Sequence, residues 1–229
     1  PDRDLALPNI FGEHGRPFYN SVVATFCHLL ATGGAPEVTE DRELTLMHAQ
    51  DAADWLLGAA SPVYRHATVS QLLAVLREFA ETYPAQMPNI DDPFRRDLFN
   101  TYRSFLTPSP IELTRHADSR GSFFEIIRSG TGQSSFSSTV PGVTRGDHFH
   151  RRKIERFTVL AGDATIAMRR LFSDEVLSFD VTGERPQAVD MPTGWTHNIT
   201  NTGAGDLLTS FWINEHFDPA HPDTTLEAV

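Results

Sequence analysis

The sequence predicts an α+β chain: a mostly helical first part, residues 1–106, and an all-β second part, residues 107–229. Three observations predict it. The first part carries amphipathic runs at helical spacing, such as the stripe of Val22, Val23, Phe26, Leu29 and Leu30. The second part carries short β-type runs separated by Gly, Asp and Asn turns, the pattern of a barrel or a two-sheet sandwich. Between them, Thr107-Pro108-Ser109-Pro110 interrupts both patterns, and two prolines so close favour an extended link.

The elements follow in order. Residues 5–10 read as a short buried strand ending at Pro8. Residues 16–34 read as a helix with Pro17 in its first turn and Gly33-Gly34 as its stop. Residues 43–60 read as a short strand, then a helix opened by Asp51 and closed at Gly58. Residues 68–84 form an amphipathic helix stopped by Pro84, and 94–106 a fourth helix. In the second part, strands are expected at 122–128, 133–140, 155–162, 163–171, 175–181, 187–192, 197–203 and 206–214.

Composition bounds the function. The chain has 229 residues and a net charge of −11, so it lacks the basic field of a nucleic-acid binder. No apolar run approaches the ~20 residues that span a membrane. One cysteine, Cys27, excludes an intrachain disulfide and, with no signal peptide visible, favours a reducing cytoplasm. The chain begins with Pro1, which suggests a start partway through a longer polypeptide. Of 19 basic residues only one, Lys153, is a lysine.

Residues 142–162 organise the second part. His148 and His150 stand two apart, so on a strand both imidazoles point to one side, with Phe149 opposite. A turn through Arg151 to Lys153 brings Glu155 alongside, and His197 comes from a more distant strand. Three imidazoles and a carboxylate aimed at one point suit zinc or a first-row transition ion. Lys153 lies inside this stretch. A lysine with a depressed pKa can release a proton, whereas an arginine effectively cannot, so Lys153 is either a proton carrier or a stray lysine in an arginine-rich chain. Arg145, Arg151, Arg152, Lys153 and Arg156 put five cations within twelve residues, and Arg120 can join them. Arginine suits a diphosphate through its paired donors; Arg120 and Arg145 are the candidates, with Arg151 and Arg152 read as a solvated turn.

These residues carry family resemblances. Gly142, His148-x-His150, Glu155 and Gly162 resemble the first cupin motif at every spacing, and Pro192-x-Gly194-x-x-His197-x-x-x-Asn201 resembles the second. That resemblance implies a jelly-roll (double-stranded β-helix) cupin whose metal ligands are His148, His150, Glu155 and His197. The segment Asp118-x-Arg120-Gly121-x-Phe123-x-Glu125 resembles the DxRGxFxE segment of metal-free nucleotide-sugar 3,5-epimerases, with Arg145-Gly146-x-His148 on their later Arg-Gly-x-His segment. This implies substrate-binding roles for Arg120, Glu125 and Arg145, and opens a second role for His148 as a base. In the first part, residues 8–26 and 44–57 resemble the substrate-binding end of an extended short-chain dehydrogenase/reductase, with Arg16 and Asn20 in its nucleotide-sugar region. Its glycine-rich turn and Tyr-x-x-x-Lys pair are absent. The first part is therefore expected to be the remnant of a Rossmann-type reductase, with NADP(H) served only by a longer parent.

The whole order resembles the bifunctional CapF-type capsular-polysaccharide enzymes. That resemblance implies metal-dependent C3 epimerisation of a UDP-4-keto-6-deoxy-N-acetylhexosamine on the route to UDP-N-acetyl-L-fucosamine, NADPH-dependent C4 reduction in the full-length protein, and a homodimer. Zinc is the expected metal; His148 and Lys153 are the expected proton-transfer residues. Two other readings stay open: a cupin module that binds the sugar nucleotide and dimerises without chemistry, and a metal-dependent dioxygenase.

Overall fold

The computed structural model describes residues 6–229, which fall into two compact units, 6–110 and Ile111–Val229. The first unit holds three strands, β1 (Asn9–Phe11), β2 (Glu43–His48) and β3 (Arg65–Thr68). Its helices are α1 (Val22–Ala31), α2 (Ala49–Leu56), α3 (Val69–Thr82) and α4 (Pro93–Arg103). β2 sits between β1, to which it is parallel, and β3, to which it is antiparallel. Phe11, Phe26, Cys27, Leu46, Leu72, Leu76, Phe79, Leu98 and Phe99 form the core between sheet and helices. Burial pushes the Cys27 thiol up to about 12, so it stays protonated and packs as a small apolar group.

Capping explains where the helices begin. Thr68 and Gln71 form a reciprocal capping box on α3, and Asp92 accepts from Arg95 N ahead of Pro93 in the first turn of α4. Two expectations need correction. The strand expected at 5–10 starts only after Pro8, with Phe11 as its buried residue; Leu5 lies outside the described residues. The helix expected from 16 starts at Val22. Ser21 is its cap, and left-handed Phe18 (φ 58°) and Asn20 (φ 50°) turn residues 17–20 out of any helix. Strand β3 was not anticipated from the sequence, because four residues carry too little periodicity.

The second unit is two antiparallel sheets with one shared core. One sheet runs β10 (Val176–Thr182), β9 (Asp163–Arg170), β12 (Trp195–Asn201), β7 (Thr144–Phe149), β14 (Thr225–Leu226). The other runs β11 (Ala188–Met191), β8 (Glu155–Ala161), β13 (Leu207–Ile213), β6 (Gly132–Thr139), β5 (Gly121–Ser129), β4 (His116–Asp118). Phe157, Val159 and Leu207 from one sheet pack with Ile166, Met168 and Ile199 from the other. Strand alternation places these inward, as the sequence pattern requires. The described residues are thus mostly β, and no helix is long and apolar enough to cross a membrane.

Asn201 pins the corner where β12 ends. Its Nδ2 donates to Thr139 O at 2.7 Å and Gly205 O at 2.9 Å, and its Oδ1 accepts from Gly203 N at 3.0 Å. The residue is buried, and Asn201→Ala removes all three of these bonds to backbone groups. The expected cost is about 3 kcal/mol of unfolding free energy, read as a lower urea midpoint at unchanged m-value.

Candidate metal centre

Four side chains able to ligate a metal meet in the second unit. His148 is near the end of β7, His150 just beyond it, Glu155 opens β8 and His197 is in β12. Their candidate donor atoms all lie within 4.8 Å of one another. The ring centroids are 4.7 Å apart for His148–His197, 4.9 Å for His148–His150 and 5.6 Å for His150–His197. His150, Glu155 and His197 are buried, and His148 is half-buried.

Strand register produces this meeting. β7 pairs with β12 so that His148 lies opposite His197, and the pairing slips between His197 and Asn198. Glu155 comes from the other sheet, between Met191 and Ile213. Gly146 permits the close approach: its φ is 110°, and a Cβ there would lie 2.6 Å from His197 O. Gly194, at φ 75°, turns the chain into β12 and donates its N–H to His150 O at 2.8 Å.

Hydrogen bonding then decides the chemistry. His150 Nδ1 lies 2.5 Å from Asp223 O, and His197 Nδ1 lies 3.2 Å from Trp195 O. A carbonyl only accepts, so each Nδ1 is assigned the proton, which leaves Nε2 of the neutral ring as an acceptor. Both Nε2 atoms face Glu155 Oε2, at 3.3 Å from His150 and 3.1 Å from His197. The buried His150 Nε2 makes no aligned hydrogen bond there. Three acceptors facing one another require a second proton on each ring or a cation among them. A divalent metal meets that requirement, and Nδ1–H to carbonyl bonds are the usual brace of ligating histidines. The residues fit a metal.

With no cation among them, protons on the rings are the alternative, and the charges reflect it. Burial pushes the Glu155 carboxyl up, but the imidazoles of His150 and His197 outweigh it and hold it at about 2. Burial, reinforced by His197, lowers His148. Burial also works to lower His150, yet the Glu155 carboxylate leaves it raised overall.

The other expected site residues are placed differently. The side chain of Lys153 is 3% exposed; its Nζ donates to Pro222 O at 2.5 Å, lies 3.8 Å from Glu215 Oε1 and sits 5.4 Å from the Phe217 ring centroid. The amine thus faces the C-terminal segment. Arg120 is exposed and forks onto Asp118 Oδ2, from Nε at 3.0 Å and Nη2 at 2.6 Å. Arg145 reaches the same aspartate only at 3.9 Å, and its buried Nε has no partner. Desolvation lowers Arg145, with Arg120 adding to the effect. Glu125 accepts from Arg128 Nε at 2.6 Å. In the first unit, Asn20 lines a cleft of about 580 Å³ and the Arg16 guanidinium lies over the Tyr19 ring at 5.1 Å. Arg152, read as part of a solvated turn, is half exposed there and also forks onto Glu215 with both bonds at 3.0 Å. Asp223 and Glu215 entered only through the family resemblance of residues 211–224, and their roles were missed.

Comparison with known proteins follows the same outline. The polysaccharide biosynthesis C-terminal domain family matches residues 116–225. A Pseudomonas aeruginosa UDP-2-acetamido-2,6-beta-L-arabino-hexul-4-ose reductase is 35% identical over 95% of this chain. The crystal structure of the capsular polysaccharide assembling protein CapF from Staphylococcus aureus has a TM-score of 0.87 at 35% identity, covering 97% of this chain and 65% of that one. In another crystal form of CapF the TM-score is 0.86 at 36% identity, over 97% of this chain and 70% of that one. The chain belongs to the CapF family. It spans 63% of the length of the Pseudomonas reductase.

Acid should expose the role of Glu155. Its folded pKa lies below the ordinary 4.5, at about 2, so it stabilises the fold above pH 4.5 and that contribution is lost as pH falls from 4.5 through 2. In chelator-treated protein the urea midpoint should fall across that window, and Glu155→Gln should flatten the slope.

Proposed function

We propose that the second unit is a cupin that binds zinc through His148, His150, Glu155 and His197 and inverts C3 of a UDP-4-keto-6-deoxy-N-acetylhexosamine. The observation that carries this reading is the convergence of acceptor atoms on Glu155 in a member of the CapF family. The Pseudomonas relative is named for a UDP-linked hexul-4-ose, and a ketone at C4 acidifies the proton at C3. The bound metal supplies Lewis-acid polarisation of the C4 oxygen. Arg145, whose Nη2 donates to Ser138 O and whose Nε has no protein partner, and Arg120, turning from Asp118, seat the diphosphate. Glu125, paired with Arg128, is assigned a further substrate contact.

The first unit is read as the sugar-nucleotide-binding remnant of a short-chain reductase, with Arg16 and Asn20 at its nucleotide-sugar region. Reduction at C4 with NADPH belongs to the longer parent, in the cytoplasm, as part of capsular polysaccharide biosynthesis. The enzyme is a homodimer formed through the β unit; light scattering at micromolar concentration should give twice the 25.5 kDa chain mass.

Proton movement at C3 is assigned to Lys153 Nζ; as a zinc ligand, His148 has no free lone pair for that role. The Lys153 contact with Pro222 O favours a second reading, in which the amine anchors the C-terminal segment and another group moves the proton. One experiment addresses both. With metal-loaded protein in deuterated water and no nicotinamide, label should wash into C3. Lys153→Arg keeps the charge and removes the titratable amine. If Lys153 moves the proton, exchange falls by about 100-fold or more, the scale of general acid–base catalysis. Exchange within a few-fold of wild type leaves the anchor reading. No exchange in the metal-loaded wild type overturns the epimerase proposal.

A further inference from the structure

The segment after β13 behaves unlike the rest of the second unit. None of residues 214–229 is buried, and Leu226, the apolar residue of β14, is 81% exposed. The segment therefore adds almost nothing to the hydrophobic core. Yet it is tied down at many points, and the ties converge on residues 147–153, around two of the candidate ligands. Thr225 and Leu226 pair with Phe149 and His148. Glu227 N donates to Asp147 O at 3.0 Å. Phe217 N donates to Gln133 Oε1 at 2.7 Å, and Arg169 Nη2 donates to Glu227 Oε1 at 2.8 Å and Ala228 O at 2.7 Å.

Asp223 is the centre of these contacts. Its carbonyl accepts from His150 Nδ1 at 2.5 Å. Its carboxylate, with the side chain 6% exposed, accepts from three successive backbone N–H groups: Arg151 at 3.2 Å, Arg152 at 2.9 Å and Lys153 at 3.0 Å. Those three residues are the turn that joins His150 to Glu155. One residue thus holds both a candidate ligand's ring and the loop that sets the spacing of two ligands. Asp223 takes a left-handed conformation, φ 48°, which turns its carbonyl and its carboxylate onto the same stretch; Asp and Asn tolerate this conformation better than other residues with side chains. On either side, the Pro222 carbonyl takes the Lys153 amine and Glu215 takes the Arg152 fork.

We propose that Asp223 is a positioning residue of the metal centre: its carbonyl fixes His150 as the tautomer whose Nε2 faces the metal, and its carboxylate sets the turn between His150 and Glu155. The proposal rests on the metal-site reading above. Residues 215–227 then form a strap that completes the metal site rather than the core. An outer partner of a ligating histidine typically carries 10–100-fold in metal affinity.

The test uses the whole 229-residue chain, stripped of metal and titrated with zinc against a chromogenic chelator, with cobalt(II) absorption as a second readout. Asp223→Ala should weaken zinc binding by about 10–100-fold and shift the cobalt(II) spectrum. Asp223→Asn, which tolerates the same backbone conformation and keeps one acceptor oxygen, should recover part of both. A purely structural role predicts a lower urea midpoint with zinc affinity and cobalt(II) spectrum unchanged, and that result overturns the proposal. If Asp223→Ala does not fold, the wild type decides: ¹⁵N-resolved imidazole NMR of the zinc-loaded chain should find His150 protonated at Nδ1 and metal-bound at Nε2. The opposite tautomer overturns the assignment. Wild-type protein that takes up no zinc overturns the metal-site reading and the strap with it; equal affinities for wild type and Asp223→Ala remove the strap alone.

Discussion

The second unit is arranged around one carboxylate oxygen, Glu155 Oε2, and the two bare imidazole nitrogens that face it. His150 and His197 each spend Nδ1 on a backbone carbonyl, from Asp223 and Trp195. What remains is a buried meeting of acceptors, 3.1 and 3.3 Å apart, that is repulsive unless a positive charge is shared among them. The surrounding structure serves this constraint. The Gly146 approach, the slip in register after His197 and the Gly194 bond to His150 all fix where two rings point. These are strand-end and turn features, where a sheet can re-aim a side chain without disturbing its core.

The cluster was legible in the sequence because two of its members obey the shortest period in protein structure. Residues two apart on a strand share a face, so His148 and His150 needed no tertiary information to be aimed together. Glu155 required only a turn of known length. His197 required the second motif, since nothing local says that β12 lies beside β7. The limits had physical causes too. Residues 17–20 carry a helix-compatible composition, but Ser21 caps the helix and Phe18 and Asn20 adopt left-handed turns, a choice made by local hydrogen bonding. β4 and β14 are too short for periodicity to register. Asp223 acts 70 residues or more from its partners and mainly through main-chain groups, so no residue-type pattern announces it.

The proposed anion site has an electrostatic basis in an acidic chain. The net charge is −11, but Arg145 and Arg120 share a single aspartate unequally. Arg120 takes the close fork on Asp118, and Arg145 stands off at 3.9 Å with a buried, unpartnered Nε. Burial and the neighbouring guanidinium both work against the charge on Arg145. A site where a cation is disfavoured by its surroundings gains the most from an incoming anion, because the anion relieves the desolvation and the repulsion together.

The lone lysine marks where these arguments meet. A lysine buried against a carbonyl and 3.8 Å from a carboxylate is held in place by the strap, whereas a proton carrier needs its amine free to approach carbon. Both demands fall on Nζ. In a chain that uses arginine at 18 of its 19 basic positions, the buried place of Nζ against Pro222, Glu215 and Phe217 also suits the compact ammonium better than the wide planar guanidinium. The rarity of lysine, which in the sequence pointed to its titratable amine, is explained as well by its shape. Loss of exchange in Lys153→Arg therefore counts for proton transfer only where zinc affinity is retained, because a guanidinium that does not fit would loosen the strap and disturb the centre.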